Sequence, residues 1–109
     1  MYISITGIKV KSFFGMLKFM RYTTPSFAAA RKANGNLFCD SKKINKYYHT
    51  LTAWENKNKM MDYLRGKHHA LAMKNFKSIG TGSVYGYEDD LMPNWEEAIK
   101  KWKQNFKEI

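Results

Sequence analysis

The 109-residue chain contains only one cysteine and two prolines, and it has no long apolar run because lysines interrupt its apolar stretches. A lone thiol, Cys39, cannot form an internal disulfide, and the absence of metal-ligand spacing around it points to a reducing compartment. No uninterrupted apolar stretch approaches the ~20 residues that a membrane-spanning helix needs. The N-terminus also lacks the charged, apolar and small-residue regions of a signal peptide. We therefore expect a cytoplasmic protein without a membrane partner.

Acidic residues are scarce: nine Asp and Glu face nineteen Lys and Arg, which gives a net charge of +10. A surface of this sign can bind nucleic acid. Arginine, which contacts bases and phosphates with paired hydrogen bonds, occurs only at Arg21, Arg31 and Arg65. Because the lysines are scattered and no recognition motif accompanies them, we predict a solvated basic surface and no nucleic-acid partner.

Familiar catalytic motifs are missing as well. There is no HExxH, no CxxC pair and no nucleophile-elbow serine. Gly80 and Gly82 are not followed by the helix start and lysine of a phosphate-binding loop. Cys39 has no candidate base at a recognisable spacing, and the acidic run Glu88–Asp90 is typical of a solvated turn. We therefore exclude classical hydrolase, kinase and zinc chemistry and predict no metal site.

What the sequence does contain is enough apolar material for a packed core. Hydrophobic residues make up 44% and aromatic residues 16% of the chain, so we predict a single domain over residues 1–109. The predicted central strand, Lys46–Glu55, alternates between two kinds of side chain. Leu51 and Ala53 suit close packing against a helix. The opposite face carries rings with hydroxyls between them, which can line a cavity; it consists of Tyr48, Thr50, Thr52 and Trp54.

The remaining patterns predict three more strands and several helices. The predicted strands are Tyr2–Val10, Asn36–Lys42 and Ser83–Tyr87. Two helical pieces, Lys11–Met20 and Thr24–Ala33, are separated by a break, and Thr24 is the predicted N-cap of the second. A longer helix, Lys57–Phe76, is capped by Asn56 and interrupted at Gly66, and a last helix is capped by Asn94. The order is βαββαβ with an extra C-terminal helix, a ferredoxin-like α+β fold with a four-stranded antiparallel sheet.

A ferredoxin-like sheet carries its helices on one face and leaves the other face uncovered. In this chain the uncovered face is apolar, and apolar patches of that size are seldom left in water. A symmetric homodimer that packs two such faces together is the commonest solution. We therefore expect a dimeric α/β barrel.

The chain also resembles a known family. The run Thr50–Glu55 (TLTAWE), with His69 and Met73 on the following helix, resembles the antibiotic-biosynthesis-monooxygenase-like proteins, which are small dimeric α/β barrels. Pro93–Ala98 and Ser12–Gly15 are similar to a branch near spheroidene monooxygenase. The resemblance spans most of the chain, and TLTAWE is its one compact motif. It implies a pocket between sheet and helices for a small hydrophobic or aromatic ligand.

The resemblance also implies chemistry. Polyketide-oxidising members use no metal or flavin, because the deprotonated substrate itself donates an electron to oxygen. By this resemblance the chain is a monooxygenase-like protein without a cofactor that binds an aromatic or polyene-like molecule, with His69 as proton acceptor and Trp54 beside the ligand. The predicted substrate-binding residues are Ser4, Thr6, Tyr48, Thr50 and Thr52. A non-catalytic ligand-binding dimer remains the alternative, since a strand tryptophan is often core and an isolated histidine is often structural.

Haem is the one cofactor that the resemblance brings into question. Haem-degrading members need an asparagine on the first strand, a tryptophan on the third and a histidine on the next helix. Trp54 and either His68 or His69 match the last two positions. The first strand offers Ser4 and Thr6 instead of asparagine, so we expect no cofactor, with haem as the weaker alternative.

Overall fold

The computed structural model describes residues 1–109 as one α+β domain with five strands and five helices. In chain order the elements are β1 (Tyr2–Val10), α1 (Phe13–Lys32), β2 (Asn36–Ile44), β3 (Tyr47–Trp54), α2 (Lys57–Leu64), α3 (Lys67–Lys74), α4 (Phe76–Ile79), β4 (Gly80–Glu88), α5 (Trp95–Asn105) and β5 (Lys107–Glu108). The predicted βαββαβ order with an extra C-terminal helix is confirmed. None of the helices is both long enough and apolar enough to cross a bilayer.

The sheet is antiparallel throughout, with strand order β2-β3-β1-β4-β5. It has five strands, so the prediction of four was wrong. The fifth, β5, pairs two residues with Ser83 and Val84 of β4. A two-residue strand is too short to show an alternating pattern, which is why the sequence did not reveal it.

Helix α1 is one continuous helix of 20 residues, although two separate pieces were predicted. Its N-cap is Ser12, whose hydroxyl accepts a hydrogen bond from the Gly15 amide at 3.0 Å. Thr24 is therefore not a cap, and Pro25 lies inside the helix. Phe19 and Phe27 both pack toward the sheet, one before and one after this proline. Tertiary packing on both sides outweighs the local helix-breaking signal.

The second helical stretch divides where glycine predicted a break. Asn56 caps α2 by accepting from the Lys59 amide at 3.0 Å, as predicted. Helix α2 ends at Leu64 with Arg65 as its C-cap, and Gly66 is the N-cap of α3. A second division at Asn75, which separates the short α4, was not predicted.

The two faces of the sheet are covered by different helices. Helices α1 to α4 lie over one face, and α5 lies over the other. The expected uncovered face therefore does not exist: α5 packs on it and closes a core. That core consists of Ile3, Ile5, Leu51, Ala53, Ala98 and Trp102, each 0–4% exposed. A second copy is not required to bury these side chains.

Helix α5 is held in place at several points. Asn94 caps it by accepting from the Glu97 amide at 2.8 Å, as predicted. The Trp102 indole donates to the Ser83 carbonyl oxygen at 3.3 Å. Gly7 leaves the room that the Trp102 ring occupies, because a Cβ at this position would lie 2.9 Å from Trp102 Cε2. His49 is buried beside it and donates from Nδ1 to the Thr6 carbonyl at 3.0 Å.

Candidate functional site

A cavity of about 130 Å³ lies between the sheet and helices α1 to α4. Strands β1 and β3 form its floor, and all four of these helices contribute to its walls. The residues that line the cavity are Ser4, Thr6, Ile8, Phe19, Thr23, Ser26, Phe27, Ala30, Thr50, Thr52, Trp54, Met60, Tyr63, Leu64, His69, Ala72, Met73, Phe76, Ile79 and Ile109. The predicted position of a pocket, on the hydroxyl-bearing face of the central strand, agrees with this location.

The cavity floor is a ladder of hydroxyl groups. Strand register places Ser4 opposite Thr52 and Thr6 opposite Thr50, so that all four project from the same face. The Thr6 and Thr50 hydroxyls are hydrogen-bonded to each other. Each hydroxyl has one donor and two acceptor positions, so this pair keeps capacity for a ligand.

Trp54 closes one end of the floor. It is 1% exposed, and its indole N–H donates to the Thr52 hydroxyl at 3.0 Å. A buried indole with its N–H satisfied in this way is rigid, and it presents mainly an aromatic surface. Trp54 therefore supplies a fixed apolar boundary for the cavity.

The helical wall contains an aromatic residue that the sequence analysis missed. The Tyr63 ring stacks on Trp54 with ring centres 5.3 Å apart and meets the His69 ring edge-on at 5.4 Å. Its hydroxyl donates to the Ser26 carbonyl at 2.8 Å and accepts from the Ser26 hydroxyl at 2.7 Å. Burial raises the pKa of the Tyr63 phenol, which therefore stays neutral. Its spacing of three residues from Met60 was the signal that could have identified it.

His69, rather than His68, faces the cavity. His69 is half-buried in the wall, whereas His68 is exposed to solvent. Burial lowers the pKa of the His69 imidazole, and the backbone carbonyl of Leu64 acts in the opposite direction. The imidazole is therefore neutral at neutral pH and able to accept a proton.

Tyr48 is the one predicted site residue that does not line the cavity. It projects from the same strand face, but its ring packs against Phe19 with centres 4.8 Å apart. Its hydroxyl lies 3.9 Å from the Met16 sulfur. Phe19 therefore stands between Tyr48 and the cavity. The other six predicted site residues all line it.

Helix α1 supplies wall residues that the sequence analysis did not single out. Phe19, Ser26 and Phe27 belong to this group. The prediction of two separate helices in place of α1 concealed that these residues share one side of a single helix.

Cys39 lies on β2, outside the cavity lining, and burial raises the pKa of its thiol although Arg31 opposes the shift. A protonated thiol is a weak nucleophile, in keeping with the exclusion of Cys39 from catalysis.

The residues present do not fit haem. The first strand has Ser4 and Thr6 at the floor and no asparagine, and Tyr63 already packs against both Trp54 and His69. A volume of about 130 Å³ is also below the roughly 300–1,000 Å³ of sites for drug-sized ligands, which are smaller than a porphyrin.

Known proteins resemble this chain in structure and not in sequence. No protein-family model matches the chain, and no curated protein matches it in sequence. Solved structures do resemble it. A proposed antibiotic biosynthesis monooxygenase from Deinococcus radiodurans is 17% identical, has a TM-score of 0.72, and the match covers 86% of this chain and 97% of that one. One from Nitrosomonas europaea is 14% identical with a TM-score of 0.69, covering 84% and 100%.

A third solved structure has a described activity. SnoaB from Streptomyces nogalater, a cofactor-independent oxygenase, is 8% identical with a TM-score of 0.68, and the match covers 84% of this chain and 94% of that one. Identities this low show the fold alone. The chain therefore has the ferredoxin-like α+β fold of the antibiotic biosynthesis monooxygenases, as the resemblance implied.

Proposed function

We propose that the protein is a cofactor-independent monooxygenase-like enzyme that oxidises a small, electron-rich phenol in the cavity beside Trp54. The carrying observation is the neutral, half-buried His69 imidazole in the wall of a cavity floored by hydroxyls and bounded by aromatic rings. Fold does not determine chemistry, so the proposal depends on this cavity and not on the likeness to other proteins.

The cavity volume favours a single aromatic ring. An apolar cavity of ~150 Å³ binds benzene, and this cavity measures about 130 Å³. A polycyclic polyketide or a polyene chain would require the helices to move. Hydroxyls on Thr6, Thr50 and Thr52 can hydrogen-bond phenolic oxygens of a one-ring substrate, while the surrounding rings bury its carbon atoms.

The proposed reaction needs no external reductant. His69 accepts the phenolic proton, and the phenolate transfers one electron to O₂. The resulting radicals combine to form a C–O bond at a ring carbon that still carries hydrogen. His69 then returns its proton to the terminal peroxide oxygen. Loss of the ring hydrogen as a second proton cleaves the O–O bond and releases that oxygen as water, so phenol and O₂ become quinone and water. One oxygen atom enters the product as a carbonyl, and the ring is the species oxidised.

Oxygen consumption with a panel of one-ring polyhydroxylated phenols tests the activity, and mass spectrometry with labelled O₂ checks for one incorporated oxygen atom. His69→Gln should slow turnover by a factor of roughly 10²–10⁴, because general-base assistance is lost. His68→Gln is the matched control: it removes an exposed imidazole from the adjacent position and should leave the rate unchanged. Equal rates for both variants would contradict the role of His69.

The alternative is a non-catalytic ligand-binding protein with the same cavity. Internal pairing of polar groups favours it, since Thr6 bonds Thr50 and the Trp54 N–H bonds Thr52. This alternative predicts that phenol quenches tryptophan fluorescence without oxygen uptake. It also predicts that His69→Gln leaves the affinity for phenol unchanged.

We also propose that the protein forms a homodimer. Because α5 covers the centre of the expected interface, the contact would involve β2 at the sheet edge. Two exposed apolar residues support this location: Leu37 is 56% and Phe38 is 40% exposed. Sedimentation velocity tests it, and a monomer at micromolar concentration, or a dimer unaffected by Phe38→Ser, would exclude this interface.

A further inference from the structure

Helix α1 exposes a row of large apolar side chains on the side turned away from the cavity. Phe13 is 73%, Phe14 74%, Leu17 51% and Met20 60% exposed. These four residues, the α1 outer stripe, recur at the spacing of one helix face. Phe19 on the opposite side of the same helix lines the cavity. Helix α1 is therefore apolar on both sides, and only its inner side has a partner within the domain.

The surroundings of the outer stripe are strongly basic. Residues 1–39 contain six Lys and Arg and no acidic residue. Lys11, Lys18 and Arg21 are exposed next to the stripe. Residues 13–32 and 57–79, which form the helical layer α1 to α4, together hold ten basic residues and one acidic residue. That residue, Asp62, is paired with Arg65 at 3.4 Å.

We propose that this face of α1 docks on an anionic lipid bilayer, with the outer stripe seated at the level of the headgroups and the flanking basic residues beside lipid phosphates. A helix with an apolar row and flanking Lys or Arg lies in the plane of the interface. The negative surface potential of such a membrane attracts each nearby Lys or Arg. The proposal is independent of the chemistry proposed for the cavity.

The positive charge and the apolar side chains of this face favour an anionic bilayer over a second copy of the chain or a nucleic acid. A second copy would bring two layers of the same strong positive charge together, which like-charge repulsion opposes. A nucleic acid would satisfy the basic residues but would leave the flexible apolar side chains Leu17 and Met20 without an apolar environment. An anionic bilayer offers both negative charge and hydrocarbon. No membrane partner was expected from the sequence, because that expectation rested on the absence of a bilayer-spanning segment and of a signal-peptide pattern.

The experiment is co-sedimentation of the full chain with phosphatidylcholine vesicles, with and without phosphatidylserine. We expect binding to the phosphatidylserine vesicles and at least about tenfold weaker binding by the double variant F13S/F14S, since two exposed phenylalanines lose their burial. Leu91→Ser is the matched control, because Leu91 is 76% exposed but follows Asp89 and Asp90. It should bind like the unchanged protein.

Charge is tested separately with K18E/R21E, which should also weaken binding, and raised salt should act in the same direction. Circular dichroism of each variant checks that it is folded. Several results would overturn the proposal: no sedimentation with the phosphatidylserine vesicles, equal binding by F13S/F14S, or equal loss in Leu91→Ser. Loss of self-association in F13S/F14S without vesicle binding would instead assign the stripe to a second copy. Binding of a single-stranded oligonucleotide that survives F13S/F14S, without vesicle binding, would assign the face to nucleic acid.

Discussion

The two faces of strands β1 and β3 differ sharply although their residues alternate along the same backbone. Ile5 and Leu51 pack under α5 and are at most 1% exposed. Their neighbours Thr6 and Thr50 point the other way and carry hydroxyls into the cavity. Because side chains alternate with a period of two, one pair of strands can hold a dry core and a ligand cavity back to back.

The helices on the two faces differ in the same way. Over the core, α5 is a single helix of 11 residues with three buried side chains. Over the cavity, the chain from Lys57 to Ile79 is broken into helices of eight, eight and four residues, and the first two have no fully buried side chain. Sparse burial is typical of regions that open locally. Helix α1 on the same face is unbroken and buries Gly15, Ser26 and Ala30, so we expect local opening in the segment from Lys57 to Ile79 and not across the whole cavity face.

Truncating one residue on each face of the sheet should give the largest difference in unfolding free energy between the two faces. Leu51→Ala removes a side chain that is 1% exposed in the core and should cost about 2–5 kcal/mol of unfolding free energy. Thr50→Ala, its neighbour on the cavity face, should cost about 1 kcal/mol or less, because it removes one hydroxyl beside an existing void. Urea denaturation measures both values. Equal losses would show that the two faces contribute alike.

Adding a methyl group on each face should give the next largest effect. Gly7→Ala places a Cβ 3.0 Å from His49 Cε1 and closer to the buried Trp102 ring, and such overpacking costs about 1–3 kcal/mol. Gly82→Ala meets Phe76 and Ile109 side chains instead. Phe76 borders the cavity and can shift into it, so the loss of stability should be smaller. Thermal unfolding of both variants tests the order, and a greater loss in Gly82→Ala would contradict it.

The alternation of the strands made the fold and much of the site predictable. Alternation placed Thr50, Thr52 and Trp54 on one face of β3, the family resemblance added Ser4 and Thr6, and all five line the cavity. Caps at Asn56 and Asn94 were predictable because a short polar side chain before a helical pattern has one main use there.

Other features depend on contacts that sequence patterns do not contain. Pro25 signalled a helix break, but packing of α1 on the sheet keeps the helix whole. Tyr63 acquires its place in the site only because α2 sets it between Trp54 and His69. The position of α5 on the apolar face was also not predictable, because a helix pattern shows that a face is apolar and not which surface it covers.

The two helix caps provide a finer test of the contrast between the faces. Asn94→Ala removes the cap of α5 and should lower global stability by about 1 kcal/mol. Asn56→Ala removes the equivalent bond from α2 and should mainly speed amide hydrogen exchange in residues 57–64, since that helix can open without unfolding the core. Exchange measured by mass spectrometry distinguishes the two results. Global destabilisation of equal size by both variants would show that α2 is as firmly coupled to the core as α5.

The smallest expected change is in the pH dependence of stability. Burial lowers the pKa of His49 on the core face and of His69 on the cavity face. A histidine with a lowered folded-state pKa binds more protons when unfolded, so its contribution is fully present above about pH 6.5 and is lost as pH falls below that value. His69→Gln should flatten the decrease in melting temperature between about pH 7 and pH 5. His68→Gln should leave the slope unchanged because that side chain is exposed. A slope unaffected by His69→Gln would mean that its imidazole is as well hydrated as that of His68, and the cavity face would then lack the buried base that oxidation requires.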